Sequence, residues 1–167
     1  MFQTYVPSKT LQPYVAFYYT LKCKKLDYGH IISEYSLPSG LGHMGFHFCG
    51  FFYVFQNNKI QELPRFYTVG QQTQHYYFNS DSNLVDLYGA TFQPTGLWHL
   101  FGVDMPSITD KAIANTSLFS IEIQEFTKQF ELNQKPASKI KLIENLLLNK
   151  LLTVQPQLNV IDTAKDK

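Results

Sequence analysis

The stretch "GATFQPTGLWHLFGVDMPSITDKAI", Gly89 to Ile113, is where the chain stops reading as strand and starts reading as helix. It begins as the end of a β-type run, passes Pro94 and Gly96, and enters "TGLWHLFG", a short helix near 95–101 that Gly102 stops at its C-terminal end. The only tryptophan, Trp98, sits at its centre, and no residue in the stretch falls in a catalytic pattern.

Upstream of this junction the pattern is almost entirely β. "VAFYYTLKC" after Pro13 and "IISEYS" before Pro38 are β-branched and aromatic runs bounded by turn residues. In "HMGFHFCGFFYVF" the alternation of a strand puts Met44, Phe46 and Phe48 on one face and His43, Gly45, His47 and Cys49 on the other, with Gly50 marking a bulge or bend. "NNK" has hairpin-turn composition, and "FYTVGQQTQHYYF" and "NLVDLYGATF" complete a set of short strands at hairpin spacing.

Downstream the period changes from two to 3.6. Phe119, Ile123, Phe126 and Phe130 form a helical stripe, and Pro136 opens a second helix. In that second helix the apolar positions wrap more than half of the circumference. Ile140, Ile143, Leu147 and Leu151 are therefore expected to face a second copy of the chain while the remaining apolar residues face its own sheet. The fold class is α+β: an antiparallel β-barrel or sandwich of short strands followed by C-terminal helices.

Bulk composition narrows the function classes. The 167 residues are 44% hydrophobic and 16% aromatic, which predicts one ordered domain with a tyrosine- and phenylalanine-rich interior. The net charge is +1 and Arg65 is the only arginine, so the chain lacks the basic footprint of a nucleic-acid binder. No continuous apolar run is long enough to span a bilayer and the N-terminus does not read as an export signal, so a cytoplasmic protein with Cys23 and Cys49 as free thiols is expected.

Catalytic and metal patterns are weak. His43 and His47 on one strand lie about 13 Å apart and do not share an ion, whereas His47 and Cys49 lie about 7 Å apart. His47, Cys49 and His75 are the best available ligands for a metal-dependent cupin-like enzyme, and no metal or cofactor is expected. Ser39 near His43 lacks an acidic orienter, and "SGLGHMG" lacks the G-K-[ST] ending of a phosphate loop. The collected aromatics suit a cavity for an organic ligand, with polar handles from Tyr35, His43, His47, His75, Tyr77 and Trp98.

"LPRFYTVGQQTQHYYF" followed by "YGATFQPTGLWHLFGVDMPSITDKAI" resembles the N-terminal domain of AraC-type bacterial transcription regulators. Pro64 and Gly70 match one part of that pattern, and Phe92, Pro94, Gly96, Leu100, Gly102 and Asp110 match the other; "LPSG", Leu37 to Gly40, looks like the family's Pro-Asp-Gly turn with serine for aspartate, and "HMGFHF" departs from the usual continuation. The resemblance implies a cupin-like sensor region over 1–116, a helical dimerisation element over 117–153, and a linker over 154–167 leading toward a helix-turn-helix domain that binds DNA. It implies a homodimer, an unidentified small-molecule effector and no enzymatic activity. In this setting Pro94 ends a barrel strand, Gly96 permits a close turn, and Trp98 and Phe101 are expected to anchor the short helix by burial, about 2 kcal/mol each.

Overall fold

The computed structural model describes residues 1–56, 59–119 and 122–154. In chain order the strands are β1 (Phe2–Tyr5), β2 (Val15–Lys24), β3 (Ile32–Ser36), β4 (His43–Cys49), β5 (Tyr53–Gln56), β6 (Lys59–Glu62), β7 (Phe66–Val69), β8 (Tyr76–Ser80), β9 (Leu84–Phe92) and β10 (Ala112–Ala114). The helices are α1 (Gly96–Phe101), α2 (Met105–Ile108), α3 (Glu122–Leu132) and α4 (Pro136–Val154). The fold is α+β, with strands first and the long helices last.

The strands form two antiparallel sheets, one of six strands in the order β1-β2-β9-β4-β7-β10 and one of four in the order β3-β8-β5-β6. Among the described residues no ladder joins the two sheets, so they do not close into the barrel expected from the sequence. The segment "FYTVGQQTQHYYF" accounts for part of this. Its polar middle carries the chain from β7 in the larger sheet to β8 in the smaller one.

Two cores result, one on each face of the six-stranded sheet. Met44 and Phe46 of β4, and Tyr88, Ala90 and Phe92 of β9, face the helices. Tyr19 and Cys23 of β2, Tyr67 and Val69 of β7, and Val85 and Leu87 of β9 face the smaller sheet. The alternation read for β4 holds through His47, but the register with β9 shifts between His47 and Cys49, so that Cys49 comes opposite Asp86. That bulge moves Cys49 off the His47 face, contrary to the simple period-two expectation. Cys23 and Cys49 are both free thiols.

The helices pack as an aromatic layer. Phe130 meets Phe46, Phe48, Phe66, Tyr88 and Phe126 at ring-centroid distances of 5.4 to 6.2 Å. Ile143 and Leu147 are 0% exposed and Ile140 is 7% exposed, all within this chain's own core. The dimerisation assignment is therefore corrected for those three, because α4 spends its most apolar stripe on the sheet. Leu151 is half-buried against the same core, and Leu152 is the exposed leucine of α4, at 75%.

The junction keeps its expected shape but exchanges its anchors. Pro94 follows the end of β9, and Gly102 caps α1 in the left-handed conformation at φ 63. A Cβ at Gly96 would collide with the Tyr14 carbonyl, so only glycine lets α1 start that close to the β2 approach. Leu97 and Leu100, at 1% and 0% exposure, seat the helix, while Trp98 is 49% exposed and its ring lies tilted against His99. Phe101 packs edge-on against Phe92 and Phe119. The expected hairpin turn at Asn57 and Asn58, and all of the 154–167 linker except Val154, lie outside the described residues.

Asp110, matched in the motif, has positive φ at 56° and holds the chain between β7 and β8. Its carboxylate accepts from the Thr73 N–H at 2.8 Å, the Thr73 hydroxyl at 2.5 Å and the Tyr76 hydroxyl at 2.6 Å. Desolvation pushes the carboxyl pKa up, but these hydrogen bonds outweigh it and hold it below the usual range. Replacing Asp110 by Ala removes the acceptors and leaves a strained backbone, so the urea unfolding midpoint should fall by the equivalent of about 1–3 kcal/mol. A loss under about 0.5 kcal/mol would show that the 71–76 segment does not depend on this carboxylate.

Candidate functional site

Between the two sheets lies a cavity of about 300 Å³. This is the lower end of the range for small-molecule sites. Phe17, Tyr19 and Leu21 of β2, Leu87 and Thr91 of β9, His43 of β4 and Tyr67 of β7 line it on the larger sheet. Glu34, Tyr35 and Ser36 of β3, with Phe78 of β8 and Phe52, line it on the other side. Phe2 and Tyr35, at 59% and 50% exposure, border its opening.

The floor is set by register. Tyr19 pairs with Gly89, Gly89 with Gly45, and Gly45 with Tyr67, so one row across β2, β9, β4 and β7 reads Tyr-Gly-Gly-Tyr. A Cβ at Gly45 would meet the Tyr67 ring at 2.5 Å, and one at Gly89 would run into the Tyr19 ring and the Met44 carbonyl oxygen. The two rings therefore occupy the space that side chains at 45 and 89 would fill, and their hydroxyls come over neighbouring glycines. The next row reads Phe17, Thr91, His43, Val69 on the same face. Thus two phenols, a threonine and an imidazole share one patch of floor.

The phenol and threonine side chains are buried and His43 is half-buried. Tyr19 is 8% exposed and Tyr67 2% exposed, but their hydroxyls open onto the cavity and are not among the enclosed polar atoms without a partner, which belong to Ser8, Tyr18, His47 and Asn115. Desolvation raises the pKa of both phenols well above the ordinary value, with Tyr19 adding to the shift at Tyr67. Desolvation also takes His43 down to about 4, so its imidazole is neutral at physiological pH. No lysine or arginine lines the cavity among the described residues. Its one carboxylate, Glu34, already accepts from the Tyr28 hydroxyl and the Cys23 thiol.

The six residues expected to form the pocket separate. His43 and Tyr35 border the cavity, although the Tyr35 ring packs with His75 and Tyr77, at 5.6 and 5.0 Å, on the solvent side of the smaller sheet. His75 and Tyr77 therefore lie outside the cavity, because Tyr77 alternates with the inward Phe78. Trp98 is on α1, on the helix side of the larger sheet. His47 is 0% exposed and structural: its Nε2 accepts from the Phe52 N–H at 3.3 Å, and its ring packs against Phe51, Phe52 and Tyr67.

The alternative metal set also separates. His47 is in the inter-sheet core, His75 is on the outer face, and the bulge carries Cys49 to the helix side. Among the described residues no three histidine, cysteine or carboxylate side chains converge on a metal site. The cavity residues missed in the sequence, Tyr19, Tyr67, Thr91 and the inward phenylalanines, come together through cross-strand register, which has no local signature.

Two measurements probe this floor. In Gly89→Ala the new methyl meets a backbone oxygen that cannot swing away, whereas in Gly45→Ala it meets only the Tyr67 side chain. Gly89→Ala should therefore cost more in urea unfolding, each loss falling near 1–3 kcal/mol; the reverse ranking would overturn the ring-over-glycine account. The second concerns acid. Desolvation, the largest effect, lowers His47 to about 4, with nearby Pro64 and Arg65 carbonyls opposing it. A histidine whose folded pKa lies below its unfolded value of about 6.5 binds fewer protons when folded, so stability rises with pH across that window and is lost as pH falls from about 6.5 to 4. Protonation would also turn Nε2 into a donor facing the Phe52 N–H. In His47→Gln the fall in Tm between pH 6.5 and 4 should be shallower than in the parent; an unchanged slope would exclude His47 as a source.

Residues 3–114 match the family described as a domain of unknown function (DUF6597). No curated protein matches the chain. The matched segment runs from within β1 to the end of β10 and so contains both sheets, the cavity and the junction helices, while α3 and α4 follow it. With the greater part of its length inside that match, the chain belongs to the DUF6597 family.

Proposed function

We propose that this chain is the cupin-like ligand-sensing and dimerisation region of an AraC-type transcription regulator, acting without enzymatic chemistry in the cytoplasm. Contact with DNA would belong to a helix-turn-helix part outside these residues. The observation that carries the reading is that the six-stranded sheet has a cavity on one face and the helices on the other. Along β4, His43 borders the cavity while its neighbour Met44 is in the helix-side core; along β9, Thr91 and its neighbours Ala90 and Phe92 do the same. An occupant would thus be one peptide unit from the surface on which α1, α3 and α4 rest. A switch of this kind requires the occupant to prefer one helix arrangement over another.

The motif residues support the same reading, since Pro94, Gly96, Gly102 and Asp110 each fix the path between sheet and helices. A homodimer would use what α4 leaves free, chiefly Leu152 with half-buried Leu148 and Leu151 beside it. The exposed polar residues Lys141, Asn145 and Asn149 make the rest of that face a poor dry interface.

Native mass spectrometry of the purified chain tests the proposal directly. A dimer carrying an organic adduct is expected, and α3 and α4 should show altered hydrogen exchange when that adduct is removed by unfolding, dialysis and refolding. A metal-loaded monomer would overturn it. For the interface, Leu152→Glu should weaken dimerisation about tenfold or more in sedimentation, whereas Ile143→Ala should instead lower monomer stability by about 2–5 kcal/mol. A dimer indifferent to Leu152→Glu would place the interface elsewhere.

A further inference from the structure

We infer, resting on the sensing role proposed above, that the inter-sheet cavity selects an uncharged small molecule with a flat apolar body and a carbonyl or ether oxygen directed at the Tyr19 and Tyr67 hydroxyls. Three observations lead there. First, the polar groups on the two sides differ: on the smaller sheet Glu34 already accepts from Tyr28 and Cys23 and the Ser36 hydroxyl donates to Gln72, whereas the two phenol donors lie on the larger sheet. Phe17, Leu21, Phe52, Phe78 and Leu87 supply apolar walls, while the phenol hydroxyls sit over Gly89 and Gly45 and open onto the cavity. Those glycines are direct cross-strand partners, whose Cβ positions lie about 4.5–5.5 Å apart, so both donors serve one small region.

Second, the adjoining row supplies His43 and Thr91, also direct partners, which widen the polar patch without adding charge. A donor that opens onto a cavity is left unpaired when an apolar occupant excludes water, so an occupant whose oxygen accepts from both hydroxyls avoids a cost that a purely apolar one incurs. Aromatic walls around a polar end favour a ring that stacks over a chain that must be ordered.

Third, the site's own titratable groups report how it treats ions. Burial disfavours the imidazolium of His43 and equally disfavours the phenolates of Tyr19 and Tyr67. A ligand cation or anion at the same depth meets the same desolvation cost. Among the described residues no lysine or arginine lines the cavity to offset it for an anion, and Glu34 is already engaged by Tyr28 and Cys23.

The test is an NMR titration of the whole chain with four one-ring probes: acetophenone (neutral, carbonyl), benzoate (anionic), benzylammonium (cationic) and toluene (apolar). Acetophenone should bind at least about tenfold more tightly than either ion, with shifts confined to strands lining the cavity. In the Tyr19→Phe/Tyr67→Phe double variant, which keeps both rings over the glycines, acetophenone should lose about tenfold while toluene stays within about twofold. Toluene binding also certifies that the variant is folded; if it is not, the charge series on the parent chain decides alone. Equal or tighter binding of benzoate or benzylammonium in the cavity overturns the selection for neutral ligands and leaves the sensing role standing. Binding of none of the four overturns both.

Discussion

Tyr19 and Tyr67 lie so close over Gly89 and Gly45 that a methyl group at either glycine would penetrate a ring, and this contact decides what both faces of the larger sheet can do. On the cavity side, the rings take the place of side chains and keep the floor low enough for an interior space. On the helix side, the same strands present Met44, Phe46, Tyr88 and Ala90, which are among the least exposed residues of the chain. Any larger residue at 45 or 89 would displace a buried ring and close the floor, so cavity and register depend on the same two positions.

The aromatic layer under the helices answers a different constraint. Lys139 on α4 is 1% exposed, and its Nζ lies 3.0 Å from the centroid of Phe48, 4.8 Å from Tyr88 and 5.5 Å from Phe130. Desolvation lowers its pKa, with the Asp86 charge opposing, and the ring faces offset the burial of the ammonium by about 2 kcal/mol or more. Arg65, the only arginine, pairs with Glu131 of α3 at 2.6 Å at the exposed rim of this layer and packs over Phe66. The high aromatic content thus serves two separate packings, a cation-bearing helix layer and a cavity wall. Composition alone does not distinguish them.

The elements with strong local patterns were legible. β2, β3, β4 and β9 follow alternating runs bounded by proline and glycine, and α4 starts at Pro136 as its period requires. The edge strands β1 and β10 were not, because Phe2–Tyr5 and Ala112–Ala114 are short and owe their conformation to the ladders with β2 and β7. Breadth of apolar surface on α4 suggested a second copy, yet a sheet lined with Met44, Phe46 and Tyr88 was itself broad enough to absorb it. At the site, alternation put His43 and His47 on one face without separating the cavity-lining His43 from the core His47, and Tyr19 and Tyr67 became cavity residues only through pairing with distant glycines. Trp98, His75 and Tyr77 carried polar handles but fell on outward faces, which side-chain chemistry does not reveal.

The two glycines also bear on how an occupied cavity would be felt elsewhere. At Gly45 and Gly89 no side chain separates the tyrosine rings from the sheet, so the backbone itself is the partition between cavity and helix layer. Pressure on either ring is delivered to β4 and β9 without an intervening rotamer to absorb it. On the far side, Phe46 contacts Phe126 and Phe130 at 5.0 and 6.1 Å, and close-packed interiors transmit such displacements rather than damping them. A sheet with larger residues at 45 and 89 would be stiffer and thicker at this point. The glycine pair therefore makes the floor the thinnest path from the cavity to α3, and an occupant resting on it would act there first.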